Sequence, residues 1–192
     1  EVVPDYGGGV CQISTALYRA VMRANIWPTT RYNHSMMVGY SEASKDATVF
    51  EGDIDYRFIN TYDFPIYIQG YTTPGNIVFN VYGNKEALGN KTYYIENEIV
   101  EKYSYTTQEI KDDTLLEGQR VTKLNGAAGY KSRGYLVTYE NGVEVNRELI
   151  SEDYYQPMNS IVRVGTKKLT KPIAQANNEE KQANNEEKLE NN

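Results

Sequence analysis

The stretch GGGVCQISTALYRAV, residues 7 to 21, contains the only cysteine of this 192-residue chain. Three glycines precede Cys11 closely, and apolar side chains follow it at helical spacing. These are Ile13, Leu17, Ala20, Val21 and Ala24. The spacing predicts one helix of about 3.5 turns with a single apolar face, ending near Asn25 and Trp27-Pro28. Cys11 then lies in the first turn of the helix, beside that face.

This position suits a nucleophilic thiol. A cysteine attacks as its thiolate, and the partial positive charge and unpaired N–H groups of a helix N-terminus stabilise that anion. Amides near Gly9 to Gln12 can also hold the oxyanion of a tetrahedral intermediate. The stretch therefore predicts an acyl-transfer site at Cys11. A structural alternative stays open, because Gly-rich turns before helices are common and free cysteine is often buried.

The chain also contains a single histidine, His34, in RYNHSMM. A cysteine nucleophile usually needs an imidazole partner and a third group that orients the ring. We therefore predict a catalytic set of Cys11, His34 and Asp46, the last in KDATV, with Asn33 and Asn60 as alternative residues to orient the ring. A lone cysteine and a lone histidine are often unrelated, so this remains a hypothesis. Together they supply two zinc ligands where three or four are needed, and neither a metal nor another cofactor is predicted.

Other polar residues near the thiol are candidates for binding substrate. Gln12 and Ser14 can donate hydrogen bonds to a substrate carbonyl, and Arg31 can hold a carboxylate in a bidentate fork. Each has a more ordinary interpretation. A first-turn serine commonly bonds nearby backbone, and a single arginine on a strand is commonly a surface charge.

The rest of the chain reads mainly as β structure. Residues 29–82 contain strand patterns between Asp, Pro and Gly turn signals, including a hairpin turn at Pro74-Gly75-Asn76, and one strand is expected to carry His34. The helix against an antiparallel sheet predicts an α+β class, with cysteine on a helix and then histidine on a strand, as in papain-like enzymes. Later segments predict an elongated all-β module with a hairpin at Asn141-Gly142.

Composition limits the partners and the domain plan. The net charge of −6 argues against nucleic acid, whose binding needs a basic patch. No apolar run approaches the roughly 20 residues of a membrane span, and no signal peptide is visible. The abrupt start at Glu1 leads us to expect a fragment whose upstream signal or membrane anchor is absent. We place domains at 1–84 and 90–167, followed by a low-complexity polar tail at 168–192.

Four blocks in order resemble the VanW domain family, from Gly7 to about Tyr82. They are GGGVCQISTALYRAVMRANI, RYNHSMMVGY, DATV and DYRFINTYDFPIYIQG. The segment from about Lys91 to Lys167 resembles a G5 domain, through LLEGQRV, YENGVEV and IVRVGTK. The resemblance implies an exported cell-envelope protein of a Gram-positive bacterium, in a family named for vancomycin-type glycopeptide resistance. Its relatives often carry an N-terminal membrane anchor.

The resemblance also implies a chemistry. Some VanW-domain proteins act as L,D-transpeptidases that make 3→3 cross-links in peptidoglycan through a cysteine. The family's nucleophile falls on Cys11, its His-Ser pair on His34 and Ser35, and its Asp-Ala-Thr block begins at Asp46. The G5 resemblance implies binding to N-acetylglucosamine-containing glycan. We expect an extracellular cysteine L,D-transpeptidase, or a related amidase or peptidase, acting on peptidoglycan stem peptides. The alternative is a non-catalytic wall-binding or glycopeptide-resistance accessory protein.

Overall fold

The computed structural model describes residues 8–169. Its helix and strands, in chain order, are α1 (Val10–Arg23), β1 (Pro28–Thr30), β2 (Arg57–Phe58), β3 (Tyr67–Thr73), β4 (Asn76–Tyr82), β5 (Lys91–Tyr103), β6 (Thr107–Leu116), β7 (Arg120–Leu124), β8 (Gly129–Glu140), β9 (Val143–Tyr155) and β10 (Ser160–Lys167). A 3₁₀ turn at Lys85–Ala87 precedes β5. The polar tail predicted from residue 168 lies, apart from its first two residues, outside the described residues.

The described residues form two compact units. The first runs through Thr106 and resumes with Gly126–Met158, and the second contains Thr107–Asn125 and the residues from Asn159 onward. The first unit holds the β1-β2 pair, the β3-β4 pair and the three-stranded antiparallel sheet β5-β8-β9. In the second unit, β10 pairs with β6 in parallel and with β7 antiparallel. The long strands β5, β8 and β9 thus belong to the same unit as the N-terminal helix.

Both predicted hairpin turns are confirmed. Gly75 has a φ of +78° in the turn between β3 and β4. Asn141 and Gly142 have φ values of 51° and 81° between β8 and β9. Two successive residues at positive φ match the right-handed twist of the flanking strands, which is why Asn-Gly favours such a hairpin.

The predicted helix is present, but its buried face differs from the predicted one. The buried helix residues are Ser14, Thr15, Tyr18, Val21 and Met22. Ile13, which was predicted to face the core, is 43% exposed. Tyr18 and Met22 pack with Ala47 and with Leu136 of β8. Ser14 and Thr15 turn inward because both bond the backbone of Ala47, whereas Tyr18 packs in the apolar cluster.

The predicted α+β class is wrong. The described residues are mostly β, with one α-helix of 14 residues. The sheet expected across residues 29–82 is largely absent between β1 and β2, where the chain is irregular apart from one isolated bridge. His34 accordingly lies on a loop and not on the strand expected from a papain-like order. Buried side chains satisfy several backbone groups of this loop, which removes the need for a strand ladder.

Candidate active site

The first turns of α1 are fastened to the segment that carries Asp46. Ser14 Oγ donates to the carbonyl of Ala47 at 2.6 Å. Thr15 Oγ1 donates to the same carbonyl at 3.2 Å and accepts from the Ala47 N–H at 3.1 Å. All three residues are buried, so these bonds are protected from competition with water. They hold the residues that follow Ala47 beside Cys11.

Cys11 lies in the first turn of α1, directly after the exposed N-cap residue Gly9 and Val10. In the thiol form, Sγ donates to the carbonyl of Val49 at 3.2 Å, and Thr48 Oγ1 lies 3.5 Å from the sulfur. Partial burial opposes ionisation of the thiol. The Thr48 hydroxyl and the interaction with His34 outweigh this burial and lower the pKa of Cys11 below its ordinary value. The thiol therefore donates a hydrogen bond to a backbone carbonyl, and its anionic form is stabilised.

The His34 ring is held at both nitrogens. Nδ1 lies 2.6 Å from Asp46 Oδ2, and Nε2 lies 3.0 Å from the hydroxyl of Tyr40. An ionised carboxylate can only accept, so this network assigns the Nδ1 proton to the bond with Asp46. In the neutral ring, Nε2 is then the acceptor. Burial lowers the pKa of His34, but the bond to Asp46 and the interaction with Cys11 raise it above its ordinary value overall.

Asp46 is fully buried and accepts four hydrogen bonds. Oδ2 accepts from the His34 backbone N–H at 2.7 Å and from the His34 ring. Oδ1 accepts from Arg31 Nη2 at 3.0 Å and from the hydroxyl of Tyr155 at 2.5 Å. Burial opposes the charged form, yet the bonds from His34 and Tyr155 and the charge of Arg31 keep the pKa of Asp46 below its usual value. The carboxylate is thus ionised at neutral pH and fixed in orientation.

Arg31 links Asp46 to strand β9. Its Nη1 pairs with Asp153 Oδ1 at 2.6 Å, and its Nε donates to the backbone carbonyl of Asp46 at 2.7 Å. The three charged side chains are almost entirely buried. One cation between two carboxylates compensates much of the charge that burial would otherwise disfavour. Arg31 also lies over the ring of Tyr18, with its guanidinium carbon 5.4 Å from the centroid.

The structure brings Cys11, His34 and Asp46 together. The other predicted site residues are either exposed to solvent or bonded within the protein. Gly9, Gln12 and Ser35 are exposed. Ser14 and Arg31 are bonded to protein groups, so in this conformation they have no open face for a substrate. Their predicted contacts with substrate, and those of the exposed residues, stay predictions.

Several residues of this site carry no usable signal in the sequence. Thr48 follows Asp46 and Ala47, but nothing in its surroundings indicates a contact with Cys11. Asp153 and Tyr155 lie more than a hundred residues from the groups they bind. One cue was available for β9: Asp153 and Tyr155 alternate with Tyr154, which predicts that they share one face of the strand.

Within residues 8–169, no group of three or more His, Cys, Asp and Glu side chains is arranged to hold a metal ion. The same part of the chain has no helix long and apolar enough to cross a membrane.

Comparison with known proteins identifies two regions. Residues 1–82 match the family model of VanW like proteins, and residues 95–167 match the G5 domain. The uncharacterized protein YoaR of Bacillus subtilis (strain 168) is 38% identical over 84 residues, which cover 44% of this chain. The match spans 28% of the length of YoaR.

Two solved structures are similar to part of the chain. The first, an IgA1 protease G5 domain, is 27% identical, with 40% of this chain and 93% of that chain covered and a TM-score of 0.27. The second, HP0197-G5, is 23% identical, with 38% of this chain and 97% of that chain covered and a TM-score of 0.23.

Proposed function

Because the chain joins a VanW-like region to a G5 domain, which together indicate a cell-wall-associated protein with glycan binding, we propose that it is a cysteine acyl-transferase of peptidoglycan. The substrate class is the stem peptide, and the reaction is of the L,D-transpeptidase type, forming 3→3 cross-links. The G5 domain binds the wall glycan and keeps the cysteine close to its substrate. The protein works outside the cell, at the wall or anchored to the membrane and facing outward.

The first half-reaction forms a thioester. His34 Nε2 accepts the Cys11 proton, and Sγ attacks the carbonyl carbon of the L-centre of a tetrapeptide stem. Backbone amides at the start of α1, near Gly9 to Gln12, stabilise the oxyanion of the tetrahedral intermediate. The imidazolium then gives its proton to the leaving amine, and the terminal D-residue departs. Asp46 keeps the imidazole in the required tautomer throughout.

The second half-reaction transfers the acyl group. The amine of a neighbouring stem attacks the thioester carbonyl, and His34 takes the proton that this amine loses. Collapse of the tetrahedral intermediate breaks the C–S bond, and the thiol of Cys11 is restored with that proton. One amide bond has been broken and one formed, so no external energy source is required.

The observation that carries the proposal is the His34 ring, which is bonded to the buried Asp46 and whose interaction with the Cys11 thiol lowers the pKa of that thiol. A purely structural cysteine has no need of an imidazole fixed by an ionised carboxylate. Perturbed ionisable groups that face one another at a partly open surface are typical of catalytic sites. Here the thiol, the imidazole and the carboxylate are all shifted toward their charged forms.

A non-catalytic wall-binding protein is the second candidate. The bond from Cys11 Sγ to the Val49 carbonyl favours it, because a thiol that donates a hydrogen bond is protonated at rest. The Tyr40 hydroxyl at His34 Nε2 also favours the non-catalytic candidate, since it occupies the lone pair that would accept the thiol proton. In this alternative, the VanW-like region holds stem peptide or glycan without cleaving it.

Incubation with purified disaccharide-tetrapeptide and mass spectrometry of protein and products tests both candidates. The chain has one cysteine, so an acyl adduct on the intact protein identifies its site directly. We expect an adduct, release of the terminal D-residue and a 3→3 dimer, all lost in Cys11→Ala. Release of the D-residue without a dimer would indicate a hydrolase. Binding without any release or adduct, in wild type and variant alike, would refute the catalytic proposal.

A further inference from the structure

Strand β9 contacts the candidate catalytic residues from within the G5 domain. Tyr155 is 1% exposed, and its hydroxyl donates to Asp46 Oδ1 at 2.5 Å. The Tyr155 hydroxyl oxygen also accepts from the backbone N–H of Ser44 at 2.7 Å. Because that N–H must donate, the Tyr155 proton is directed at the carboxylate. The tyrosine therefore connects the loop before Asp46 to Asp46 itself.

A second connection runs through the same face of β9. Asp153 lies two residues before Tyr155, so both side chains project to one side of the strand. Its Oδ1 pairs with Arg31 Nη1 at 2.6 Å, and its Oδ2 accepts from Ser151 Oγ at 2.8 Å. Arg31 in turn donates to both the side chain and the backbone of Asp46. Asp46 Oδ1 is thus held by one group of β9 directly and by another through Arg31.

The end of β9 also fixes the segment that carries the histidine. The Gln156 N–H donates to the Ser35 carbonyl at 2.7 Å. Asn33 Nδ2 donates to the Tyr154 carbonyl at 2.9 Å. The residues on both sides of His34 are therefore bonded to residues 154–156, although the segment around His34 forms no strand. All of these residues belong to the first compact unit.

We infer that the G5 domain completes the active site of the VanW-like region: Tyr155 and Asp153 are positioning residues that orient Asp46 and, through it, the imidazole of His34. The inference rests on the proposed function for the role of His34 as a base. It implies that a VanW-like region without this strand holds Cys11 and His34 but does not fix the reactive tautomer.

The position of the His34 proton tests this inference without any substrate. His34 is the only histidine in the chain, so its two ring nitrogens give an unambiguous ¹⁵N spectrum. In a Cys11→Ala background, the neutral ring is expected to carry its proton on Nδ1. Tyr155→Phe and Asp153→Asn, each added separately, are expected to populate the Nε2–H tautomer. Tyr154→Phe is the matched control, because its exposed ring lies on the opposite face of β9 and contacts Tyr103.

Alkylation of the single thiol by iodoacetamide gives the second readout. With Cys11 present, Tyr155→Phe and Asp153→Asn are expected to slow alkylation at neutral pH by about tenfold or more, as for loss of a hydrogen bond to a charged group. Tyr154→Phe is expected to react at the wild-type rate. Thermal unfolding checks that each variant is folded. If Tyr155→Phe is not folded, the tautomer and alkylation results of Asp153→Asn decide the inference.

Wild-type tautomer populations and alkylation rates in the folded β9 variants would overturn the inference, since β9 would then only pack against the site. The result is separable from the proposed function. A tautomer shift in a protein that cleaves no stem peptide would retain the positioning role and refute the transferase. Stem-peptide turnover that is unaffected by both substitutions would support the transferase and refute the positioning role of β9.

Discussion

Asp46→Asn is the substitution that most directly tests the candidate catalytic set. It changes one atom of a buried side chain and removes one negative charge. In the wild-type protein, Oδ2 accepts from the backbone N–H and the ring of His34, while Oδ1 accepts from Arg31 and Tyr155. All four partners donate. An amide has one acceptor oxygen and one donor group, so it cannot satisfy both pairs.

Both orientations of the introduced side-chain amide therefore create a conflict. With its NH₂ at the Oδ2 position, the amide points a donor at the backbone N–H of His34, which is also a donor. Nδ1 of His34 must then accept a hydrogen bond from the NH₂, and the ring proton moves to Nε2. With its NH₂ at the Oδ1 position, it faces the Arg31 guanidinium. An uncompensated charge at a buried ion pair costs about 3–5 kcal/mol in the free energy of unfolding. The wrong tautomer in a nucleophile–histidine–aspartate set lowers kcat by about 10⁴-fold.

Two measurements on the purified variant check the loss of stability and the loss of base function. Urea unfolding gives the loss of stability, and iodoacetamide alkylation of the single thiol gives the loss of base function. Asp55→Asn is the control, because Asp55 is an exposed carboxylate that pairs with Arg57. We expect Asp55→Asn to alkylate at the wild-type rate. If Asp46→Asn were folded, as stable as wild type and equally reactive, the reasoning about the buried carboxylate would be refuted.

Four further outcomes are expected. Tyr40→Phe frees Nε2 of His34 and should accelerate thiol alkylation below neutral pH; an unchanged rate would mean that the tyrosine does not compete for the ring. Because the pKa of His34 is raised in the folded protein, protonation of His34 stabilises the fold fully below pH 6.5, and this stabilisation is lost as pH rises through the folded pKa. The Tm difference between wild type and His34→Gln should therefore shrink with rising pH. Hydrogen bonds from Thr114 help to lower the pKa of Asp112 to about 2, so the Tm deficit of Asp112→Asn should hold above pH 3.8 and disappear as pH falls to about 2. Leu136→Ala removes a buried core side chain and should lower the free energy of unfolding by about 2–5 kcal/mol in urea titration, whereas a smaller loss would show that the helix does not depend on β8.

Features set by neighbouring residues could be predicted from the sequence. The helix after the glycine run follows from apolar spacing, and Cys11 necessarily falls in its first turn. The hairpins at Gly75 and Asn141-Gly142 follow from residues that accept positive φ at little cost. These are local properties of the backbone, so the rest of the chain has little influence on them.

The buried face of the helix and the path of the loop depend on distant partners. Tyr18 and Met22 face inward because Leu136 and Ala47 lie on that side, and no periodicity within the helix indicates those partners. The strand pattern around His34 is misleading for the same reason. The backbone N–H of His34 donates to the buried carboxylate of Asp46. This carboxylate replaces the acceptor that a neighbouring strand would have provided.

The amino-acid sequence by itself thus determined which residues could carry the chemistry, since a single cysteine and a single histidine leave few choices. Only the tertiary structure decided how they are oriented. Asp46 is held by Tyr155, 109 positions away in the chain, and the pairing of Arg31 with Asp153 spans 122 positions. Contacts across such separations arise from packing and burial of the whole unit, which no short stretch of sequence encodes.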